Sequence, residues 1–209
     1  MKTCISTRFD RDNILFDLWI KNSISYNLEI VIFLDGYIES IYEKIEKINE
    51  SGKKKISIID VTRFGNIYEI NNINFFIDIF NILYKEMGYH NIIYTDPDEL
   101  LLTSNLKKFI DLDSNILVSR GFEVCQYDGE SKYDIKKSFS EQRNFGFWTD
   151  QGHTKESPYN KVFLYSNGEF PKTQGRHAWE INESPTYIKK DFIILLHIAE
   201  ICKEIRIEN

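Results

Sequence analysis

The sequence predicts an α/β fold in which a mixed, mainly parallel sheet is flanked by helices. Short β-branched runs alternate with helical patterns through the first half of the 209-residue chain, and this alternation is typical of parallel βαβ units. Acidic turns at Asp35, Asp60 and Asp96 each follow a predicted strand. Because ligands bind at the carboxyl ends of the strands in such sheets, we expect these turns to share one edge.

The elements of the first half follow from hydrophobic periodicity. A helix over 74–87 has a strong signal, since apolar residues recur at i+3, i+4, i+7 and i+11 from Phe76, and Gly88 follows as its C-cap. The other predicted helices are 12–23 and 39–50. The predicted strands are 2–6, 28–34, 55–59 and 91–95.

The second half is less regular. Strands are predicted over 115–119, 122–127 and 161–165, and a polar, aromatic, turn-rich segment over 128–160 is typical of a substrate loop. The segment 192–198 fits a strand or the start of a helix, and 200–207 is predicted to be helical.

Composition narrows the class of protein. The net charge is −6 with acids and bases interspersed, which argues against a nucleic-acid polymer as a partner. No apolar run approaches the roughly 20 residues of a membrane helix, and the first residues contain no hydrophobic signal core. Three widely spaced cysteines are expected to be reduced thiols. We therefore expect a cytoplasmic protein.

The segment Asp96-Pro97-Asp98-Glu99 carries the main functional hypothesis. Residues two apart in an extended chain point to the same side, so Asp96 and Asp98 are expected to face one way, with Pro97 stiffening the turn. Two convergent carboxylates are oxygen ligands for Mg²⁺ or Mn²⁺, which complete their shells with substrate phosphates. The same segment is also a good helix N-terminus, and spacing alone slightly favours this alternative.

This motif resembles the DxD motif of GT-A-fold glycosyltransferases, especially the family 2-like group. Thr7-Arg8-Phe9 resembles the segment that meets the nucleotide in that group, and Asp35 stands where a carboxylate reads the base. The resemblance covers most of the chain. It implies one GT-A-like domain over 1–209, with a nucleotide-binding half over 1–100 and an acceptor-binding half over 101–209.

Two later segments extend the resemblance. Asn160-Lys161-Val162 followed by Gly175-Arg176-His177 is similar to a Lys and Gly-x-His pattern of the group, and Leu195-Leu196-His197-Ile198 is similar to a later Leu-His pattern. His197 itself we assign to the core, because such a histidine is more often packed than ligating.

The resemblance implies roles for the residues that match. Asp98 would bind the metal, Asp96 the metal or the ribose, and His177 the metal or the diphosphate. An imidazole ligand favours Mn²⁺ over Mg²⁺. Asp35 would accept a ring N–H of uracil or guanine.

Arginine and lysine side chains complete the implied nucleotide-sugar site. Arg8 lies in the nucleotide-binding segment with Thr7, and Arg63 would neutralise phosphate or stack on the base. Lys161 or Arg176 would stabilise the leaving diphosphate. The alternative for Arg63 is a solvated side chain.

The predicted function is metal-dependent transfer of a sugar from a UDP- or GDP-sugar to a glycan, lipid or protein acceptor. Candidates for the catalytic base are Glu123, Asp128, Asp150 and His153, and we choose Asp150 because Trp148 beside it could stack on a sugar. One alternative is a nucleotidyltransferase, although no Gly-rich loop precedes Asn13. Another is a sugar-binding or scaffolding relative without activity.

Overall fold

The computed structural model describes residues 1–52, 54–64, 73–112, 115–126, 129–134, 136–137, 139–143, 146–148, 161–171, 186–187 and 194–200. Strands and helices alternate through the first half, as predicted. The elements are β1 (Thr3–Phe9), α1 (Ile14–Ile24), β2 (Glu29–Leu34), α2 (Glu39–Glu50), β3 (Ile56–Asp60), α3 (Ile73–Asn81) and β4 (Asn91–Tyr94). A 3₁₀ turn, Val61–Phe64, follows β3, and a π-helical segment, Ile82–Glu86, extends α3.

The second half is mostly strand where the structure describes it. Its described elements are β5 (Glu99–Leu102), α4 (Leu106–Ile110), β6 (Ile116–Cys125), α5 (Phe139–Gln142), β7 (Gly146–Trp148), β8 (Lys161–Ser166), β9 (Thr186–Tyr187) and β10 (Ile194–Glu200).

All of these strands join one sheet. Its main path is β3-β2-β1-β4-β8-β6-β10-β5, and β7 and β9 pair with β6 beside that path. The strands β3, β2, β1 and β4 are parallel neighbours, and β6 is parallel to β10. By contrast, β8 is antiparallel to both of its neighbours, and β5 is antiparallel to β10. The predicted fold class, a mixed, mainly parallel sheet, is confirmed.

Helices cover both faces of the parallel strands. Alternate side chains of β2 enter two separate cores, as the two-residue period of a strand requires. One core contains Phe16 and Trp19 of α1 with Ile41 and Ile45 of α2. The other contains the apolar stripe of α3 that the sequence predicted. Gly88, with φ of 71°, adopts the left-handed backbone conformation expected after this helix.

The second half departs from the sequence expectations in several places, since α4, α5, β7 and β9 were not predicted. The predicted strands 115–119 and 122–127 form one continuous strand, β6, and β5 was not predicted. The ambiguous segment near residue 195 is a strand, β10, and Glu200 ends it. The remainder of the predicted helix 200–207 lies outside the described residues. Among the described helices, none has the length and apolar character needed to cross a membrane.

Candidate functional site

A cavity of about 310 Å³ lies at the carboxyl ends of β1 and β4. Its polar lining includes Asp96 and Asp98 after β4, and Lys161 and His197 from β8 and β10. Arg8 of β1 and Arg11 of the β1–α1 connection also line it. Aromatic side chains such as Phe9, Phe76 and Tyr94 form part of its apolar wall. The site is therefore a cleft at the sheet edge where the sequence analysis expected ligands to bind.

The turn that carries Asp96 and Asp98 joins two strands. The backbone N–H of Glu99 donates to the carbonyl of Asp96 (3.0 Å), and the backbone N–H of Asp96 donates to the Glu99 carboxylate (2.8 Å). Since strand β5 starts at Glu99, the helix N-terminus considered as an alternative for this segment is not formed.

Helix α1 binds the residues on either side of this turn. The indole N–H of Trp19 donates to the hydroxyl of Thr95 (2.7 Å), the residue immediately before Asp96, and both side chains are buried. The side chain of Asn22 donates to the carbonyl of Leu101 and accepts from its N–H. These contacts hold the turn from both sides, because Thr95 precedes it and Leu101 belongs to β5.

Lys161 forms ion pairs with two carboxylates of this turn. Its Nζ lies 2.8 Å from Asp96 Oδ2 and 2.7 Å from Glu99 Oε1, and the lysine side chain is 9% exposed. The antiparallel pairing of β8 with β4 explains this position, since the first residue of β8 then meets the end of β4. We call Asp96, Lys161 and Glu99 the lysine line.

His197 connects two further carboxylates. Its Nε2 lies 3.1 Å from Asp98 Oδ2, and its Nδ1 lies 2.8 and 2.7 Å from the two oxygens of Glu123. The strand register aligns the pair, because His197 lies opposite Glu123 on β6. We call Asp98, His197 and Glu123 the histidine line.

The histidine line favours the imidazolium form of His197. Burial on its own lowers the pKa of His197, but the hydrogen bonds and charges of Asp98 and Glu123 outweigh it and raise the pKa to about 10. His197 is therefore a cation at neutral pH and donates a hydrogen bond from each ring nitrogen. Its assignment to the core was wrong, since it lines the cavity.

The two lines together carry excess negative charge. Counted over the described residues alone, four carboxylates against Lys161 and the His197 imidazolium leave a formal excess of two negative charges. The two arginines of the cavity do not offset this excess, because Arg8 binds Asp35 and Arg11 binds Asp10. The described part of the wall near Asp96 and Asp98 is therefore negative on balance.

Arg8 and Asp35 form a buried ion pair. Arg8 donates from Nε to Asp35 Oδ1 (2.7 Å) and from Nη2 to Oδ2 (2.5 Å), and the two side chains are 6% and 9% exposed. The guanidinium also lies over the ring of Phe75, 4.2 Å from its centroid. Neither Asp35 nor the fully buried Thr7 is among the described residues that line the cavity.

The remaining site predictions fall elsewhere. Asp60 accepts from the backbone N–H and the hydroxyl of Thr62, which is a local turn contact. The backbone of Arg63 belongs to the 3₁₀ turn after β3, and its side chain lies outside the description. Asp150 and His177 lie outside the described residues, as do Asn160 and the 175–176 pair. Their roles stay predictions.

Sequence reasoning missed the histidine line and the part played by Glu99. The available signal was a histidine within the apolar run Leu195-Leu196-His197-Ile198, which a buried strand tolerates only when the ring is hydrogen-bonded. Within the described residues, no group of three or more His, Cys, Asp or Glu side chains is arranged to hold a metal ion.

Comparisons with known proteins give fold-level likeness alone. No protein-family model matches the sequence, and no curated protein matches it significantly. A solved structure of S. aureus TarS 1-349 in complex with UDP aligns with 64% of this chain at 12% identity and a TM-score of 0.43. This chain spans only 38% of that protein.

A second solved structure aligns over nearly the whole chain. It is the nucleoside-diphosphate-sugar pyrophosphorylase from Vibrio cholerae RC9, with 10% identity, a TM-score of 0.40, and coverage of 93% of this chain and 91% of that one. At such identities and scores, neither likeness assigns an activity to this chain.

Proposed function

We propose that this chain is a metal-dependent enzyme that takes a sugar from a nucleoside-diphosphate sugar and transfers it to an acceptor hydroxyl. The observation that carries the proposal is the cavity at the carboxyl ends of parallel strands, lined by Asp96 and Asp98 together with Lys161 and His197. Paired carboxylates and cations in one cleft suit a ligand that is anionic and arrives with a metal ion.

The charge of the site supports a divalent cation. Among the described residues, the two lines leave two negative charges in excess, and this part of the wall would repel a diphosphate that arrived alone. Asp96 and Asp98 supply carboxylate oxygens, the donor type that Mg²⁺ and Mn²⁺ prefer. We propose Asp98 as a metal ligand, Asp96 as a ligand of the metal or the ribose, and His177 as a third ligand that favours Mn²⁺.

The protein's own groups would act on the leaving diphosphate and on the acceptor. When bound, the ion would stabilise the negative charge that develops as the sugar–phosphate bond breaks. Lys161 holds a fixed positive charge at the same wall of the cavity. Its bonds to Asp96 and Glu99 orient the ammonium group before a ligand arrives.

We propose Asp150 as the general base that deprotonates the acceptor hydroxyl. Glu123, another candidate, is buried, and both of its oxygens bind His197. A carboxylate held in this way is poorly placed to accept a proton from an acceptor hydroxyl. Its role within the described residues is to hold His197.

Thermal stability with nucleotides tests the proposal. We expect Mn²⁺ and one of UDP, GDP or CDP to raise the melting temperature together, since a ligand that binds only the folded state stabilises it. Asp98→Asn should abolish this joint effect. Asp17→Asn is the matched control, because Asp17 pairs with Lys44 outside the cavity.

Three other results would each reject the proposal. Stabilisation by nucleoside triphosphates alone would indicate a nucleotidyltransferase. No response to any nucleotide would indicate a scaffold or sugar-binding protein. An unchanged response in Asp98→Asn would remove the proposed metal ligand.

A further inference from the structure

Glu123 is a buried carboxylate that reaches the cavity only through another side chain. It is 6% exposed, and its two oxygens lie 2.8 and 2.7 Å from Nδ1 of His197. The opposite edge of the ring meets the cavity, since Nε2 lies 3.1 Å from Asp98 Oδ2. Glu123 itself is not among the described lining residues. Any effect of Glu123 on a ligand must therefore pass through the ring.

Strand β10 holds Asp98 at two points. The backbone N–H of Ile198 donates to the carbonyl of Asp98 (2.8 Å), and the ring of His197 binds Oδ2 of its side chain. Among the described residues, no group forms a hydrogen bond with the other carboxylate oxygen, Oδ1, and the Asp98 side chain is 28% exposed. Oδ2 thus fixes the plane of the carboxylate, and Oδ1 is left for a ligand.

The ring can hold Asp98 only while its own orientation is fixed. A carboxylate on the second ring nitrogen fixes both the ring and the position of its proton. Burial strengthens this bond, because water does not compete for it. The charge of Glu123 also balances positive charge on the ring, which would otherwise oppose a metal ion at Asp98.

Building on the proposed function, we propose that Glu123 is a positioning residue of the metal site, which acts through His197 on the orientation and the charge of Asp98. Glu123 binds neither the metal nor the nucleotide, because it lies on the far side of the ring from Asp98. The removal of such a partner typically costs about tenfold to a hundredfold in metal affinity.

The affinity for Mn²⁺ tests this role. The probe is Mn²⁺ with UDP at a fixed concentration, measured from the electron paramagnetic resonance signal of the free ion. We expect Glu123→Leu to raise the dissociation constant of Mn²⁺ about tenfold to a hundredfold. Glu123→Gln should lose less, since its carbonyl oxygen still accepts from the ring. Glu29→Gln is the matched control and should bind as the wild-type protein does, because Glu29 binds Tyr89 at the start of β2, away from the cavity.

A double variant separates action through His197 from a merely structural role of Glu123. Each single change to leucine leaves a buried polar partner, whereas Glu123→Leu combined with His197→Leu replaces both partners by apolar side chains. If Glu123 acts through the ring, the double variant should bind Mn²⁺ as weakly as His197→Leu and no more weakly. His197→Gln serves as the reference if His197→Leu does not fold.

Several results would overturn the inference. If Glu123→Leu bound Mn²⁺ as the wild-type protein does, Glu123 would not influence the metal site, and the proposed function would survive. A loss in the double variant equal to the product of the two single losses would assign Glu123 a structural role of its own. An equal loss in Glu29→Gln would assign the effect to net charge. If the wild-type protein bound no Mn²⁺ with UDP present, the proposed function would fail as well.

Discussion

The lysine line and the histidine line have the same layout but different chemistry. Each places one cation between an aspartate of the 96–98 turn and a buried glutamate. The ammonium of Lys161 lies between residues of a single turn, whereas His197 links the turn to Glu123 on another strand. One line is thus local to the turn, and the other depends on strand register and on the proton that His197 holds.

This difference separates two roles. The lysine line secures the turn itself, because Glu99 also accepts from the backbone N–H of Asp96. The histidine line attaches that turn to β6 and β10, and its charge changes when His197 loses its proton. Removal of the two central cations should therefore give different signatures in stability and in pH dependence.

The largest expected effect is a fall in stability when Lys161 is replaced. Lys161→Met removes the cation that Asp96 and Glu99 share, and we expect the free energy of unfolding to fall by about 3–5 kcal/mol. Urea unfolding measures this change. Lys44→Met is the matched control, since Lys44 also bridges two aspartates at 2.8 Å but is 38% exposed. Its loss should cost at most about 1 kcal/mol, and equal costs for the two variants would contradict the comparison.

The next effect is a pH dependence from the histidine line. The pKa of His197 rises from 6.5 to about 10 on folding, so its contribution is complete below pH 6.5 and is lost as the pH rises toward 10. Between pH 6.5 and 8.5 the folded state alone holds this proton, and stability should fall by about 2 kcal/mol. Urea unfolding across this range should show the slope in the wild-type protein, and His197→Gln should flatten it. A slope that persists in His197→Gln would assign it to another group.

A smaller effect is expected from Asp98, which contributes to the raised pKa of His197. Asp98→Asn removes one of the two charges that favour the imidazolium, so the pKa of His197 should fall by about one unit. An NMR titration of the imidazole signals would measure it. Asp17→Asn should leave that pKa unchanged, and a similar fall in this control would mean that the charge of Asp98 is not felt locally.

The parallel half of the fold was predictable because its signals are local. The helix 39–50 was predicted with the bounds that the structure gives it, since its apolar stripe and its Ser51-Gly52 stop lie within the segment. The turn at 96–98 was also predicted to be a candidate site, and the structure places Asp96 and Asp98 in the lining of the cavity. Each prediction needed only a few consecutive side chains.

The histidine line was not predictable in the same way. Glu123 and His197 are 74 residues apart and meet only because β6 and β10 are parallel in one register. Strand β5 was missed because Asp96-Pro97-Asp98-Glu99 has the composition of a helix start. The sequence predicted a break between two strands at Arg120-Gly121, but these residues pair with β10 and β6 is continuous there.

The central claim is that Asp96 and Asp98 hold a divalent cation that in turn holds a diphosphate. Electron paramagnetic resonance of Mn²⁺ tests it directly, because the hexaaqua ion loses its sharp signal on binding. We predict that UDP and the wild-type protein together deplete this signal more than either does alone, and that Asp98→Asn abolishes the extra depletion. Equal depletion with Asp98→Asn, or tight binding of UDP with the metal chelated, would contradict the claim.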